Sequence, residues 1–259
     1  ADYESMTREE KTAWSNNLDH NTLITVLEGA GLLKGTKQER GDENLKKMVP
    51  ADGSDTTTKD YDYTTDPYDL RGLCELINPE VMPSVEISLS SDRSLRAHIT
   101  HQNTIHMRGM SGFSPRFRKT PGGRAIQKER TGTLWHEMGH GLEHDSSGIT
   151  DAASALRDER GKGESIRGLA SATGNSYSAN EKTYEDQWND PYTGKWYGHL
   201  SSTEIVSMGL QNLRDPREFS RQDHQHFLFT LAAISGKLGK RDQNVHPSEW
   251  MNRLPGGKK

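Results

Sequence analysis

The sequence is short of cysteine, of apolar residues and of net charge. Cys74 is the only cysteine among 259 residues, so the chain forms no internal disulfide and no cysteine-based zinc site. Hydrophobic residues make up 31% of the chain and never form the long apolar run of a membrane-spanning helix. The formal net charge of -4 is small, which argues against a general nucleic-acid-binding protein.

The first residues lack the basic and then apolar pattern of a secretory leader. The chain starts with Ala1 rather than Met, as a processed or excised form would. Its cellular location is left open by these features.

The pattern of apolar residues divides the chain into an N-terminal part, 1–69, and a larger part, 70–259, which we expect to pack together. Residues 7–34 are predicted to be helical, because a capping pattern is followed by apolar residues and then by glycines. Residues 35–69 contain few apolar side chains and are predicted to be a long polar loop or linker. A calcium site is the minor alternative for the aspartates of this loop, which are Asp60, Asp62, Asp66 and Asp69.

Residues 85–107 show the period of two that is typical of strands. Apolar and polar residues alternate at 85–89, at 95–99 and again at 105–107, which predicts a small antiparallel sheet. No acidic or cysteine residue stands near the histidines of this region at the spacing of metal ligands. We therefore interpret these histidines as polar-face residues of the strands, and they are His98, His101 and His106.

A basic segment, 114–130, follows the predicted sheet. Its cations are interpreted as a solvated surface, with an acidic substrate or a nucleic acid as the minor alternative partner. The cations are Arg116, Arg118, Lys119, Arg124, Lys128 and Arg130. A long helix is predicted over 125–144, and shorter helices near 151–160, 202–214 and 222–236.

The helix predicted over 125–144 carries the motif H-E-x-x-H as His136, Glu137 and His140. Histidines four residues apart lie on one helical face and can bind the same zinc ion. Glu137 points off that axis, where a carboxylate can act as a general base toward water at the metal. The composition predicts only about 0.03 chance occurrences of this motif in the chain. The same helix has an apolar face that recurs every four residues, at Leu134, Met138 and Leu142.

Zinc needs a third protein ligand, and His144 cannot supply it. Eight residues of helix separate His144 from His136, a rise of about 12 Å, which is too far for one ion. His144 and Glu143 are therefore predicted to be helix-end groups or supports of the ligands. We predict Glu204 as the third ligand, because a carboxylate in the first turn of an apolar helix is costly unless it is paired or metal-bound. The alternatives that stay open are Glu181, Glu185 and Asp186.

A tyrosine stands seven residues before Glu204. A phenol near the metal can donate a hydrogen bond to the oxyanion of a tetrahedral intermediate, so we predict that Tyr197 is catalytic. Tyr192 and His199 are the alternatives for this role, and simple packing in a loop is the other interpretation of Tyr197.

The motif His136-Glu137-x-x-His140, followed by Glu204, resembles the gluzincin branch of the zincin metallopeptidases. Residues 192–236 more loosely resemble metallopeptidase-like domains of phage and prophage virion or toxin proteins. The resemblance implies an α+β fold of the zincin type, with a small mixed, mostly antiparallel sheet over the active-site helix and a helical C-terminal subdomain. It also implies that Zn²⁺ is the cofactor.

The segment Tyr197-Gly198-x5-Glu204 is similar to that of anthrax lethal factor-type peptidases. The chain departs from that pattern four residues after the glutamate, where Met208 replaces an acidic residue. Together the resemblances cover about residues 84–236.

These features predict a zinc metalloendopeptidase that acts on a protein or a peptide. The strand near 103–108 would then be the sheet edge to which an extended substrate adds. One rival is a catalytically inactive zincin-fold structural or interaction protein, such as a virion or toxin component, although Glu137 argues against it. The other rival is a protease that acts on DNA-bound proteins through residues 114–130, which salt-sensitive DNA binding would support.

Overall fold

The computed structural model describes residue 7 and residues 16–50, 58–60, 66, 68–92, 94–109, 115–184, 188–198 and 202–238. Its helices are α1 (His20–Gly29), α2 (Lys37–Leu45), α3 (Leu70–Leu76), α4 (Pro115–Arg118), α5 (Pro121–Asp145), α6 (Ser147–Arg160), α7 (Leu169–Thr173), α8 (Ile205–Asn212), α9 (Pro216–Gln222) and α10 (His224–Ile234). Its strands are β1 (Met48–Pro50), β2 (Thr58–Asp60), β3 (Val85–Ser90), β4 (His98–Ile99), β5 (Thr104–Arg108), β6 (Arg167–Gly168), β7 (Lys182–Thr183) and β8 (Lys195–Trp196). The mixture of helices and small sheets confirms the α+β class. No helix in the described ranges has both the length and the apolar character needed to cross a membrane.

Helix α1 occupies part of the segment predicted to be helical, while residues 8–15 lie outside the described residues. Asp19 caps α1 by accepting a hydrogen bond from the Thr22 backbone N–H. The His20 ring contacts the Leu213 carbonyl oxygen at 2.6 Å, so this helix packs against the C-terminal half of the chain. Its buried apolar residues are Leu23, Ile24 and Leu27.

Residues 35–69, predicted to be a loop, instead contain a helix and two short strands. Helix α2 begins at a capping box in which the side chains of Thr36 and Glu39 each accept from the other residue's backbone N–H. Its buried face is polar, because Arg40 and Asn44 donate hydrogen bonds to backbone carbonyls of α3. The loop prediction is therefore wrong here, since a helix held by buried polar side chains shows no apolar periodicity.

The larger sheet has the order β1-β3-β5-β4, and β2 also pairs with β3. Strand β3 is parallel to β1 and to β5, whereas the β2–β3 and β4–β5 pairs are antiparallel. The expectation of a mixed sheet is confirmed, but the expectation that it is mostly antiparallel is wrong. The reason is that residues 91–103 are long enough to cross back, so that β3 and β5 run in the same direction.

Strand β5 lies inside this sheet rather than at its edge. Ile105 is in register with Ile87 of β3 on one side and with Ile99 of β4 on the other. The predicted edge at 103–108 is therefore wrong, because the chain turns near Asn103 and the short strand β4 covers that side. Within the described residues, β4 is the outer strand on this side of the sheet.

Helix α5 crosses the centre of the fold. Thr120 caps it by accepting from the Gly123 backbone N–H. Helix α8 packs directly against α5 at Gly139, where an added Cβ would lie 2.4 Å from the Ser207 Cα. Only glycine permits that approach of the two backbones. The predicted apolar face of α5 is fully buried, at Leu134, Met138 and Leu142.

The other predicted helices are present with shifted ends. The helix predicted over 151–160 begins earlier, and the one predicted over 202–214 is shorter at both ends. The helix predicted over 222–236 is preceded by a second helix, α9, and Asp223 separates the two by capping α10. A smaller antiparallel sheet has the order β6-β7-β8, and Lys195 of β8 lines a cleft beside α5.

Candidate metal centre

Three side chains from α5 and the start of α8 converge in one cleft. The Nε2 atoms of His136 and His140 lie 3.3 and 3.1 Å from the same oxygen of Glu204, Oε2. Glu204 is the residue immediately before α8 rather than a member of its first turn. The three ligand atoms all lie within 4.8 Å of one another, so the group could hold a metal ion. The structure thus brings together the three residues that were predicted as metal ligands.

The donor types and their spacing fit a zinc ion. Ligand atoms in a tetrahedral site with bonds of about 2.0–2.1 Å lie roughly 3.3 Å apart. The distances from Glu204 Oε2 to the two imidazole nitrogens, 3.1 and 3.3 Å, match that spacing. Two imidazoles and one carboxylate are also the donors of catalytic zinc sites that keep a fourth position open.

Glu204 is buried, and both of its carboxylate oxygens accept hydrogen bonds. The Ser207 hydroxyl donates to Oε2 at 2.9 Å, and the Tyr197 hydroxyl donates to Oε1. Burial by itself would raise the pKa of Glu204, but His140 and His136 hold that pKa well below its usual range. Glu204 is therefore an anionic carboxylate whose orientation is fixed by its hydrogen bonds to Ser207 and Tyr197.

Glu143 lies next to the His140 ring nitrogen that does not face Glu204. One Glu143 oxygen lies 3.6 Å from His140 Nδ1, and the other accepts a hydrogen bond from the Thr203 hydroxyl. A carboxylate in this position orients a metal-binding imidazole and makes it a stronger ligand. Burial lowers the pKa of His140, but Glu204 and Glu143 outweigh it and raise the pKa well above its ordinary value. The pocket around His140 therefore attracts positive charge.

Glu137 lies beside the ligands and lines the same cleft. It is buried, with 6% of its surface exposed. Within the described part of the chain, no hydrogen bond or ion pair holds its carboxylate. A carboxylate that no protein group engages is free to accept a proton from a molecule in the cleft.

Two tyrosines line the cleft next to Glu204. The hydroxyl of Tyr197 donates to Glu204, and the hydroxyl of Tyr192, which also interacts with Glu204, lies 3.5 Å from both Arg96 Nη2 and Lys195 Nζ. Burial raises the pKa of both phenols, and the charge of Glu204 raises it further. Both hydroxyls are therefore protonated at neutral pH and able to donate. The catalytic role predicted for Tyr197 stays a prediction.

Lys195 is a buried cation that the sequence analysis missed. Its Nζ lies 2.9 Å from Glu181 Oε1 and 3.8 Å from Glu204 Oε1. It also lies over the rings of Tyr192 and Tyr197, at 5.0 and 4.8 Å from their centroids. Glu181, an alternative third ligand, is thus engaged in an ion pair. Among the described residues, Glu204 is the carboxylate that converges with the two histidines.

The cleft has a volume of about 810 Å³ and is open to solvent. Helix α5 forms one side of it, and residues 96–99, which include β4, form another. This volume lies in the range of sites that bind substrates or ligands. The cleft can therefore admit a segment of another chain to the converged donors.

The remaining histidines take other positions. His98 and His106 stack on each other with ring centroids 5.1 Å apart, and His101 contacts His144 at the exposed end of α5. Among the described residues, His136, His140 and Glu204 form the only group of at least three metal-binding side chains whose ligand atoms converge. The predicted alternatives that lie outside the described residues are Glu185, Asp186 and His199.

The aspartates considered for calcium do not form such a group where they are described. Asp66 accepts hydrogen bonds from the backbone N–H groups of Leu70 and Arg71, which is a capping role at α3. Burial raises the pKa of Asp69, and Asp66 adds to that rise. Asp62 lies outside the described residues.

Two supporting hydroxyls were also missed by the sequence analysis. Ser207 follows Glu204 by one helical turn, so the spacing could have predicted their contact. Thr203 precedes Glu204 in sequence but reaches Glu143, a residue sixty positions earlier, and only the tertiary fold shows that contact. Ser207 adjoins Met208, the position where the resemblance to lethal factor-type peptidases fails.

Comparison of the chain with known protein families, curated proteins and solved structures finds no significant match.

Proposed function

We propose that this protein is a zinc-dependent metalloendopeptidase that hydrolyses peptide bonds of a protein or peptide substrate. The observation that carries the proposal is a single cleft that combines a converged donor set with an unpartnered carboxylate, Glu137. A metal site that only stabilises a fold needs the ligands but has no use for that free carboxylate. The donor set supports the zincin-type interpretation of the fold.

Zinc held by His136, His140 and Glu204 would supply a Lewis acid and lower the pKa of water at its open position. Glu137 accepts one proton from the water that attacks the peptide carbonyl carbon. It then delivers this proton to the departing nitrogen as the C–N bond breaks, which leaves a carboxylic acid and an amine. The free carboxylate of Glu137 suits this role because no other described group competes for it.

The position of β4 supports an extended peptide as the substrate. Residues 97–99 line the cleft, and β4 is the outermost strand on that side of the described sheet. An extended chain can pair with such an edge through its backbone and so lie across the converged donors. The substrate edge is thus assigned to β4, at His98–Ile99, instead of to residues 103–108.

Metal analysis and a peptide-library digest of wild type and Glu137→Gln test the proposal. We expect about one zinc per chain in both proteins and a fall in kcat of about 10²–10⁴-fold in the variant, because the general base is lost. Glu129→Gln changes an exposed glutamate of the same helix and should cleave as wild type does. Equal cleavage by Glu137→Gln and wild type contradicts the mechanism, whereas bound zinc without any cleavage supports the inactive structural rival.

A further inference from the structure

A second pocket lies on a different face of α5 from the cleft around Glu204. Its volume is about 370 Å³, and the described residues that line it are all different from those that line the cleft. The start of α1, the residue before α3 and the turn after α8 form part of its wall. Helix α5 contributes residues spaced by three or four positions, which share one helical face, and these are Arg124, Gln127, Lys128 and Thr131.

Positive charge is concentrated in this second pocket, although the chain has a formal net charge of -4. Its lining cations are Arg124 and Lys128 of α5 and Arg214 from the turn after α8. Among the described residues that line it, Asp69 is the one carboxylate. Three cations and one carboxylate leave an excess of two positive charges in the pocket. A local excess of one sign attracts small ions of the opposite sign.

Two of these cations are not engaged by the protein. Arg214 is half-buried, and within the described part of the chain its guanidinium makes neither a hydrogen bond nor an ion pair. The same holds for the ammonium group of Lys128, which is exposed. Burial lowers the pKa of Arg214, and the charge of Asp69 offsets this only in part. An anion in the pocket can therefore accept hydrogen bonds from both cations without displacing a protein group.

The fold places the two arginines of the second pocket. An added Cβ at Gly132 would lie 2.2 Å from Arg214 Nη1 and 3.2 Å from its Cζ, so the guanidinium lies against the bare backbone of α5. Gly132 follows Lys128 by about one helical turn, on nearly the same face. Arg124 is held by a hydrogen bond from its Nη1 to the Lys119 carbonyl oxygen. Two cations are thus fixed in position before any ligand arrives, which lowers the entropy lost on binding.

We propose that the second pocket binds a phosphate group, either as the free ion or as the ester of a small molecule. A phosphate ester carries about 1.5–2 negative charges near pH 7, which matches the excess positive charge of the pocket. A guanidinium such as that of Arg214 can bind two phosphate oxygens through parallel hydrogen bonds. The concave shape and the net negative charge of the chain favour a small anion over a nucleic acid. This site is separate from the proposed peptidase chemistry and does not depend on it.

Isothermal titration of the full chain with inorganic phosphate, at constant ionic strength, tests the proposal. We expect saturable binding of about one phosphate per chain that is lost together with the unengaged cations. Arg214→Gln should weaken this binding by about tenfold or more, because charge-assisted hydrogen bonds are removed. Lys128→Gln should weaken it by about three- to tenfold, because an exposed charge contributes less. Arg217→Gln changes an exposed arginine outside the pocket and should stay within about twofold of wild type.

Two further titrations identify the anion. Tighter binding of glycerol 3-phosphate than of inorganic phosphate supports the proposal and assigns the pocket to a phosphate ester. Equal or weaker binding of glycerol 3-phosphate supports it and assigns the pocket to the free ion. Acetate, which carries a single charge, should bind about tenfold more weakly than phosphate. Equal affinity for acetate and phosphate overturns the choice of phosphate as the ligand class.

The absence of saturable phosphate binding in wild type overturns the proposal. So does equal affinity in wild type, Arg214→Gln and Lys128→Gln, because phosphate would then bind elsewhere, for instance at the metal centre. An equal loss in Arg217→Gln and Arg214→Gln would show general surface attraction and overturns it as well. If Arg214→Gln does not fold, Lys128→Gln decides, since that residue is exposed. A DNA duplex that binds through Lys128 when phosphate does not would replace the proposal with a nucleic-acid surface.

Discussion

The protein side and the cleft side of the candidate metal centre are built differently. On the protein side, Glu204 and Glu143 each have hydrogen-bonding partners, which include Ser207 and Thr203. On the cleft side, the carboxylate of Glu137 has no partner among the described residues. Carboxylates that are held by hydrogen bonds can fix the proposed metal ligands, whereas a carboxylate without such bonds is free to act on a substrate.

Two carboxylates show that burial alone does not set the role. Glu204 is 1% exposed and Glu137 is 6% exposed, so the two residues differ little in overall burial. Glu204 is surrounded by donors that stabilise its charge, and Glu137 is not. Changes on the protein side should therefore alter metal affinity and stability, and changes on the cleft side should alter turnover.

The largest effect is expected from Glu204→Gln. The variant keeps the shape of the side chain but loses the anionic ligand between His136 and His140. We expect the zinc dissociation constant to rise by more than about 100-fold, beyond the loss that accompanies an outer support. Isothermal titration with zinc measures this change directly.

Glu181→Gln is the matched control for that experiment. Of the three alternative ligands considered from the sequence, Glu181 is the one that lies within the described residues. Its carboxylate pairs with Lys195 at 2.9 Å, so zinc affinity should stay within about tenfold of wild type. A larger loss in Glu181→Gln than in Glu204→Gln would show that the ligands were assigned to the wrong carboxylate.

The next largest effect tests the helix contact beneath the ligands. In Gly139→Ala the new Cβ would lie 2.4 Å from the Ser207 Cα, a backbone atom that cannot simply rotate away. We expect the free energy of unfolding to fall by about 3 kcal/mol, as overpacking in a tight core does. Urea denaturation measures it, and Gly122→Ala is the control because its nearest neighbour is 4.0 Å away. A Gly139→Ala variant as stable as the control would mean that α5 and α8 can separate freely.

The ligand helix could be predicted from sequence because its signals are local. His136 and His140 lie four residues apart on one helix, and that spacing alone brings them together. Glu204 was predicted from the cost of a carboxylate beside an apolar helix. Lys195 could not be predicted, because its two ion-pair partners and its aromatic contacts come together only in the folded cleft.

The N-terminal part and the sheet were harder to predict for the same physical reason. Helix α2 is held by Arg40 and Asn44 through hydrogen bonds to α3, and such long-range polar contacts have no periodicity in the sequence. Period-two alternation identified β3 and β5 as strands but contains no information on their relative direction. That direction depends on how the chain crosses over in residues 91–103.

The third largest effect is expected at His226, which packs against α8 on the protein side of the candidate metal centre. Its Nε2 is 2.6 Å from the Ile205 carbonyl oxygen, and burial lowers its pKa to about 4 in spite of Asp223 nearby. Arg160 also lowers this pKa. The unfolded chain takes up the proton near pH 6.5, so the stability from neutral His226 is complete above that pH and is lost as the pH falls toward about 4.

Because of this titration, the free energy of unfolding should fall by about 2 kcal/mol as the pH is lowered from 7 to 5. Urea denaturation of His226→Gln in the presence of a chelator isolates the effect, since glutamine can donate to the same carbonyl but does not titrate. The difference in unfolding free energy between wild type and variant should change by that amount over the interval. A constant difference would show that folding leaves the pKa of His226 unchanged.

The smallest predicted effect is at Thr203, two contacts away from the metal ligands. Its hydroxyl donates to Glu143, which in turn lies 3.6 Å from His140. Thr203→Val keeps the shape but removes the donor, so we expect zinc affinity to fall by about 10-fold. Thr203→Ser keeps the hydroxyl and should restore it. If the Thr203→Val and Thr203→Ser variants bind zinc equally well, the hydrogen bond from Thr203 to Glu143 does not contribute to zinc affinity. The ligands would then be positioned by their direct contacts alone.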